Sequence, residues 1–255
     1  MTIALGVLVP NGVVIAADTQ ETYGLGFAKY DTRKIMSARK RDGQRSLAAS
    51  GGGDSDYIDS LHQDYIDAFK QTPTPDGLQT QLQQRLTAFY QDHMLPFTPK
   101  ERPDIGSLVG MTWRDGKSQL LASRLNRLGR KKHFATDGVG RVHASYLLSR
   151  LLPAKDTMTV WQAASLAAFT IFHVKEYVDG CGRGTHITVL REGGAWYVSE
   201  QAMQSLEQRF ADYLRRDVQR VHGMLGAANV VAPEDELMQI TEGDLIQTQG
   251  EAVFD

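Results

Sequence analysis

Residues 2–18 read Thr2-Ile3-Ala4-Leu5-Gly6-Val7-Leu8-Val9-Pro10-Asn11-Gly12-Val13-Val14-Ile15-Ala16-Ala17-Asp18. Two runs rich in β-branched residues flank Asn11-Gly12, the dipeptide that most strongly marks a tight hairpin, so Thr2–Val9 and Gly12–Asp18 are expected as paired strands. Working outward, Ser46–Ala49 reads as a further strand running into Ser50-Gly51-Gly52-Gly53. From Asp54 the apolar period changes: Tyr57, Ile58, Leu61, Tyr65, Ile66 and Phe69 recur at three and four, the spacing of one helix face. A second helix is expected from about Leu78 to Met94, after the breakers Pro73 and Pro75. Ile105–Trp113 and Gln119–Leu125 flank the hairpin turn Arg114-Asp115-Gly116-Lys117.

The second half continues with helices before its strands. Asp137-Gly138-Val139-Gly140 is read as a turn opening a third helix that ends at Pro153, and Thr159 caps a fourth through about Tyr177. Strands Thr185–Arg191 and Ala195–Ser199 follow, then a helix over roughly Met203–Val221. Strands, two helices, strands, two helices, strands, helix is not the alternation of a parallel sheet. It points to the α+β class, two stacked antiparallel sheets with helices outside, a four-layer αββα sandwich. No repeat or linker divides the chain.

Composition narrows the function. With 42% hydrophobic and 23% charged residues and a net charge of -2, the chain has enough apolar content for a core and is not disordered. Ser165–Val174, its most apolar stretch, is far shorter than the ~20 residues a spanning helix needs. The charge balance argues against nucleic acid as partner. A single cysteine, Cys181, excludes a disulfide framework and fits a reducing compartment, and the N-terminus carries no signal-peptide pattern, so a cytoplasmic location is expected. The charge is unevenly spread: residues 221–255 hold seven acids and no Lys or Arg, leaving 28 basic against 23 acidic residues in 1–220. One domain is therefore expected over 1–220, followed by an acidic extension over 221–255.

The candidate chemistry lies at the start of the chain. Thr2 follows Met1, and a small side chain there permits removal of the methionine. Thr2 would then carry a hydroxyl and an α-amine of pKa ~7.7–8.0 on one residue, nucleophile and general base together. Asp18 closes the hairpin sixteen residues on, and Lys34, in Asp31-Thr32-Arg33-Lys34-Ile35, follows after another sixteen.

Thr2, Gly12-Val13-Val14-Ile15-Ala16-Ala17-Asp18, Lys34-Ile35 and Ala49-Ser50-Gly51-Gly52-Gly53-Asp54, in that order, resemble the proteasome β-subunit family of N-terminal nucleophile (Ntn) hydrolases, of the bacterial proteasome homologue type. The resemblance implies a threonine endopeptidase in which Thr2 attacks the scissile carbonyl, Lys34 lowers the pKa of the amine and hydroxyl, and Asp18 holds Lys34 charged and oriented. It implies an oxyanion hole from backbone N–H at Ser50 or Gly51, and a substrate strand pairing with the backbone at Thr22. Two departures stand out: the family's serine between glycines is Val139 here, and its acid and Ser-Gly pair are represented by Asp179 and Cys181. The resemblance further implies a self-compartmentalised homo-oligomeric ring, six or seven subunits stacked as two, acting on polypeptides; an ATPase partner is not legible. Two rival readings stay open, a non-catalytic ring or scaffold protein and a dedicated amide hydrolase or peptide ligase.

Other clusters weigh less. Asp54, Asp56, Asp59 and His62 could be imagined as metal ligands, but acids in a first helical turn ordinarily complement the helix dipole. His173 and Glu176 read as a helix-face pair, and Cys181 as a small buried residue. Gly110–Ser118 lacks a phosphate-loop glycine at Met111 and lies in a hairpin. Arg124, Arg127, Arg130, Lys131 and Lys132, without interleaved aromatics, read as a solvated or subunit-contact surface. No metal and no cofactor are expected.

Overall fold

The structure, a computed structural model, describes residues 2–23, 28–41, 43–153, 157–226, 242–247 and 253–254. Met1 and most of the expected acidic extension lie outside the described residues. The opening hairpin forms as read: β1 (Ile3–Val9) pairs with β2 (Gly12–Asp18), Leu5 opposite Ala16 and Val9 opposite Gly12. All of β2 and all but Leu8 of β1 are buried, which explains continuous apolar runs where a half-exposed strand would alternate.

Four short strands surround this start or follow it: β3 (Gln20–Tyr23), β4 (Ala28–Asp31), β5 (Met36–Lys40) and the glycine-ended β6 (Arg45–Gly53). Helices α1 (Ser55–Gln71) and α2 (Pro75–Phe89) come next, Pro75 opening α2 rather than only breaking the chain before it. A π-helical turn, Tyr90–Met94, replaces the expected end of the second helix. Strands β7 (Ile105–Trp113), β8 (Ser118–Arg124), β9 (Arg127–Lys131) and β10 (Phe134–Gly138) precede α3 (Arg141–Leu151) and α4 (Val160–Tyr177). Thr159 caps α4 as expected, in a reciprocal box with Gln162. Then come β11 (Thr185–Arg191), β12 (Gly194–Val198) and α5 (Glu200–Gly226).

The class is α+β. One six-stranded sheet runs β10-β1-β2-β11-β12-β13 and the other β14-β5-β6-β7-β8-β9, where β13 is Leu245–Gln247 and β14 is Val253–Phe254. All pairings in them are antiparallel except β14 with β5. Residue 220, where the sequence places its boundary, lies inside α5.

Three apolar clusters hold these parts together. Ile3, Leu5 and Val7 of the first sheet pack with Ala164, Ile171 and Phe172 of α4. Leu47, Val109 and Leu121 of the second pack with Leu61, Phe69, Leu82 and Leu86 of α1 and α2. Between the sheets, Ala4, Val13 and Ile15 meet Ala48, Leu108 and Leu120. Each large side chain so buried contributes about 1.5–3 kcal/mol of transfer free energy.

The basic cluster lies around β9, an edge strand of which only Leu128 is buried. Charged edges of this kind discourage pairing with other chains. Arg130 is paired with Asp76 of α2 at 2.8 Å.

Candidate functional site

Hairpin register brings the first two candidate residues together. Ala4 stands opposite Ala17, which places the residues next in line at one end of the pair, and the Ile3 N–H donates to Asp18 Oδ1 at 3.1 Å. Thr2 is buried, and its hydroxyl donates to Asp18 Oδ1 at 2.5 Å. Lys34 reaches them from the strap between β4 and β5. Its ammonium donates to Thr2 Oγ1 at 2.6 Å, to Asp18 Oδ1 at 2.8 Å and to the Gln20 carbonyl. The remaining oxygen, Asp18 Oδ2, accepts the Gly182 N–H at 3.0 Å. Asp18 is wholly excluded from solvent, and a carboxylate so placed needs the ammonium and these donors to remain in the fold. Burial lowers the pKa of Lys34, opposed by the charge and hydrogen bond of Asp18. Threonine hydroxyl, ammonium and carboxylate thus form one compact hydrogen-bonded group.

The second sheet contributes main chain. Ser50 is completely buried and its hydroxyl donates to the Lys34 carbonyl at 2.8 Å, tying the strap to β6. Gly51 lines a cleft of about 300 Å³ that also takes in Thr2, Thr22 and Lys34. The Gly52 N–H donates to Asp137 Oδ2 at 2.9 Å. A Cβ at Gly52 would lie 2.6 Å from the Gly138 Cα and 3.0 Å from Thr2 Cγ2, and one at Gly138, where φ is +88°, would lie 2.3 Å from the Thr2 carbonyl oxygen. Thr2 therefore sits against two glycines that leave it just enough room.

Asp137 is the residue that sequence reading missed. The sequence places it in a turn, but it belongs to β10, opposite Ala4, and bridges the two sheets through Gly52. Burial raises its pKa, against the lowering effect of the Gly52 and Gly138 N–H groups. Its pattern, an acid before Gly-x-Gly, carried no signal apart from the turn.

The remaining candidates divide. Thr22 lies on β3, opposite Lys29, and β3 pairs only with β4 among the described residues, so its other edge has no strand neighbour. Cys181 is buried beside Gly140 and close enough for Asp18 and Lys34 to act on it; burial and then the Asp18 charge push its thiol up to about 12, which favours the neutral thiol over the thiolate. Asp179 is exposed in the turn after α4, outside the hydrogen-bonded group.

No group of three or more His, Cys, Asp and Glu able to hold a metal occurs among the described residues. His62 is buried, with Nε2 2.9 Å from Ser107 Oγ, while Asp54, Asp56 and Asp59 line the cleft. His173 is stacked with Tyr177 at 5.7 Å and His143 at 6.5 Å. Among the described residues, no helix is long and apolar enough to cross a membrane.

Neither known protein families nor curated proteins match the sequence. Solved structures do match in fold. An Anbu (Gly-1) mutant from Hyphomicrobium sp. strain MC1 is 15% identical with a TM-score of 0.68, covering 86% of this chain and 97% of that one. Anbu (ancestral beta-subunit) from Yersinia bercovieri is 10% identical with a TM-score of 0.69, covering 90% and 100%. The helical assembly of the Anbu complex from Pseudomonas aeruginosa is 13% identical with a TM-score of 0.68, covering 86% and 96%. These TM-scores establish a shared fold and, at such low identities, the fold alone. They also correct the resemblance drawn from the sequence: the matching structures are Anbu proteins, and nothing assigns the chain to the proteasome β-subunit family itself. The quoted motifs all fall within residues 2–54, whereas the Anbu likeness extends over most of the chain.

Proposed function

We propose that the protein is an N-terminal nucleophile hydrolase of the threonine type, acting on peptide bonds once Met1 has been removed. The observation that carries this reading is the Thr2 hydroxyl, held between the Lys34 ammonium at 2.6 Å and the Asp18 carboxylate at 2.5 Å and opening onto a cleft. The two stacked sheets between helices support the finer architecture of a four-layer Ntn sandwich. We assign this hydrolase unit to residues 1–220 and treat 221–255 as an acidic extension.

In the reaction, Thr2 Oγ1 attacks the scissile carbonyl carbon while the freed α-amine takes the hydroxyl proton. Lys34, its proton loosened by burial, donates a hydrogen bond to the developing alkoxide, and Asp18 keeps Lys34 in place. Backbone N–H groups of Ser50 and Gly51 receive the carbonyl oxygen as it gains charge. The tetrahedral intermediate collapses to an ester on Thr2, the C–N bond breaks, and the leaving amine takes the proton from the α-ammonium. Water, deprotonated by the same amine, then cleaves the ester and restores the hydroxyl. An extended substrate adds to the open edge of β3 at Thr22, which aligns its carbonyl with Thr2. Asp179 and Cys181 have supporting places only.

Assembly with further copies is proposed on a separate observation: Val139 just before α3, Val142, Tyr146 and Leu151 on it, and Tyr177 at the end of α4 make up half of the exposed large hydrophobics among the described residues. Light scattering and electron microscopy distinguish a ring of six or seven subunits from a helical array. The hydrolase reading is tested by peptide hydrolysis with intact-mass measurement. Turnover by a chain lacking Met1, lost in Thr2→Ala, is expected. A retained Met1 together with no turnover would instead favour the non-catalytic scaffold.

A further inference from the structure

One group in the Thr2 cleft plays no part in the chemistry above. Glu21 lies on β3 between Gln20, whose carbonyl accepts the Lys34 ammonium, and Thr22. It lines the cleft, and its Oε1 is buried with no hydrogen-bond donor among the described residues. The start of α1 adds Asp56 and Asp59 to the same lining. Burial and then the charges of Glu21 and Asp56 raise the pKa of Asp59, so both of these carboxylates lie near enough to act on it. Two cations also stand on its walls: Lys34 is engaged by Asp18 and Thr2, and Arg33 lies over the face of Tyr197, 5.6 Å from the ring centroid.

A buried carboxylate oxygen without a donor is costly, and a cation entering the cleft supplies the missing charge-assisted hydrogen bond. An apolar side chain would leave that oxygen unsatisfied, and an acidic one would add a like charge to the four carboxylates, Glu21, Asp54, Asp56 and Asp59, already lining the cleft. We infer that the cleft selects a cationic side chain, lysine or arginine, on the residue beside the attacked carbonyl, with Glu21 as the specificity-determining residue. The inference rests on the hydrolase reading only for which part of a substrate enters the cleft. Its sequence signature, a glutamate in Gln20-Glu21-Thr22, is a property of this chain's own strand.

Binding without chemistry tests it. The full chain carrying Thr2→Ala is titrated with three N-acetyl tripeptide amides, Ala-Ala-Arg, Ala-Ala-Leu and Ala-Ala-Glu. The arginine peptide is expected to bind at least about tenfold more tightly than the leucine peptide, with the glutamate peptide weakest. That advantage shrinks as salt is raised. Glu21→Gln in the same background brings the arginine-to-leucine ratio to within about twofold, and Asp59→Asn narrows it less. Circular dichroism confirms that each variant is folded. An arginine peptide that binds no better than leucine, failure of all three to bind, or a ratio untouched by both substitutions overturns the inference. Offering the same peptide sequences as substrates to the chain with Thr2 intact separates the two readings. An arginine preference in binding with no turnover of any peptide would sink the hydrolase and leave the cation-selective cleft standing.

Discussion

The two six-stranded sheets meet at one site and supply it with different material. The first, through β1, β2 and β10, brings side chains: Thr2, Asp18 and Asp137 all project from its buried end. The second, through the end of β6, brings main chain and an absence of side chains, with Gly52 packed against Gly138 and Thr2. Lys34 lies on the strap between them and is tied to both, by its ammonium to Thr2 and Asp18 and by its carbonyl to Ser50. Damage to the first sheet should therefore act by deleting chemistry, and damage to the second by adding atoms.

The largest expected effect is at Lys34. Lys34→Met is predicted to lower hydrolysis by about 10³-fold, since it removes the donor to the Thr2 oxygen. The same change leaves Asp18 buried with one charge partner fewer, which should cost about 3–5 kcal/mol of stability. Urea unfolding and initial rates measure both, and a variant with wild-type activity would take Lys34 out of the mechanism. Next comes Gly52→Ala, which removes no side chain but adds one against Gly138 and the Thr2 methyl group. Its Cβ would stand 2.6 Å from the Gly138 Cα, backbone that has no rotamer to escape through. A destabilisation of about 1–3 kcal/mol is expected, with activity lost because Thr2 is displaced. If the alanine variant keeps both its melting temperature and its rate, the contrast between the two sheets fails.

A smaller effect distinguishes the helix-covered side of the second sheet, away from the chemistry. His62 on α1 is buried, and burial lowers its pKa from 6.5 to about 4. The unfolded chain thus takes up a proton on His62 before the folded chain does. The contribution is favourable in full above about pH 6.5 and is lost progressively toward about pH 4, amounting to up to about 3 kcal/mol. Comparing urea unfolding at neutral and mildly acid pH in the native chain and in His62→Gln isolates it. A native chain and variant with the same acid slope would show that His62 is not held neutral by burial.

What could be read beforehand follows the same division. The hairpin that carries Thr2 and Asp18 announces itself because it is buried on both faces and turns at Asn11-Gly12, so its apolar runs and turn agree. β3, β4 and β9 escaped notice because they are polar or lie at an edge, where neither burial nor alternation marks them. Asp137 is hidden for another reason: its neighbours Gly138 and Gly140 look like turn punctuation, whereas Gly138 makes room for Thr2 and Gly140 for Ile3, Val174 and Cys181. The motifs of the first residues point to the proteasome β-subunit family, whereas the structures that match are Anbu proteins, because the spacing of a few residues constrains a local arrangement more tightly than it constrains ancestry.

The central claim is that Thr2, with its own amine freed, is the nucleophile. Labelling by a peptide epoxyketone, which requires both the hydroxyl and the amine of one N-terminal residue, tests it most directly. The account predicts a single adduct on Thr2 of a chain lacking Met1, and none in Thr2→Ala. Equal labelling of the two chains, or an unlabelled chain from which Met1 has been removed, would contradict it.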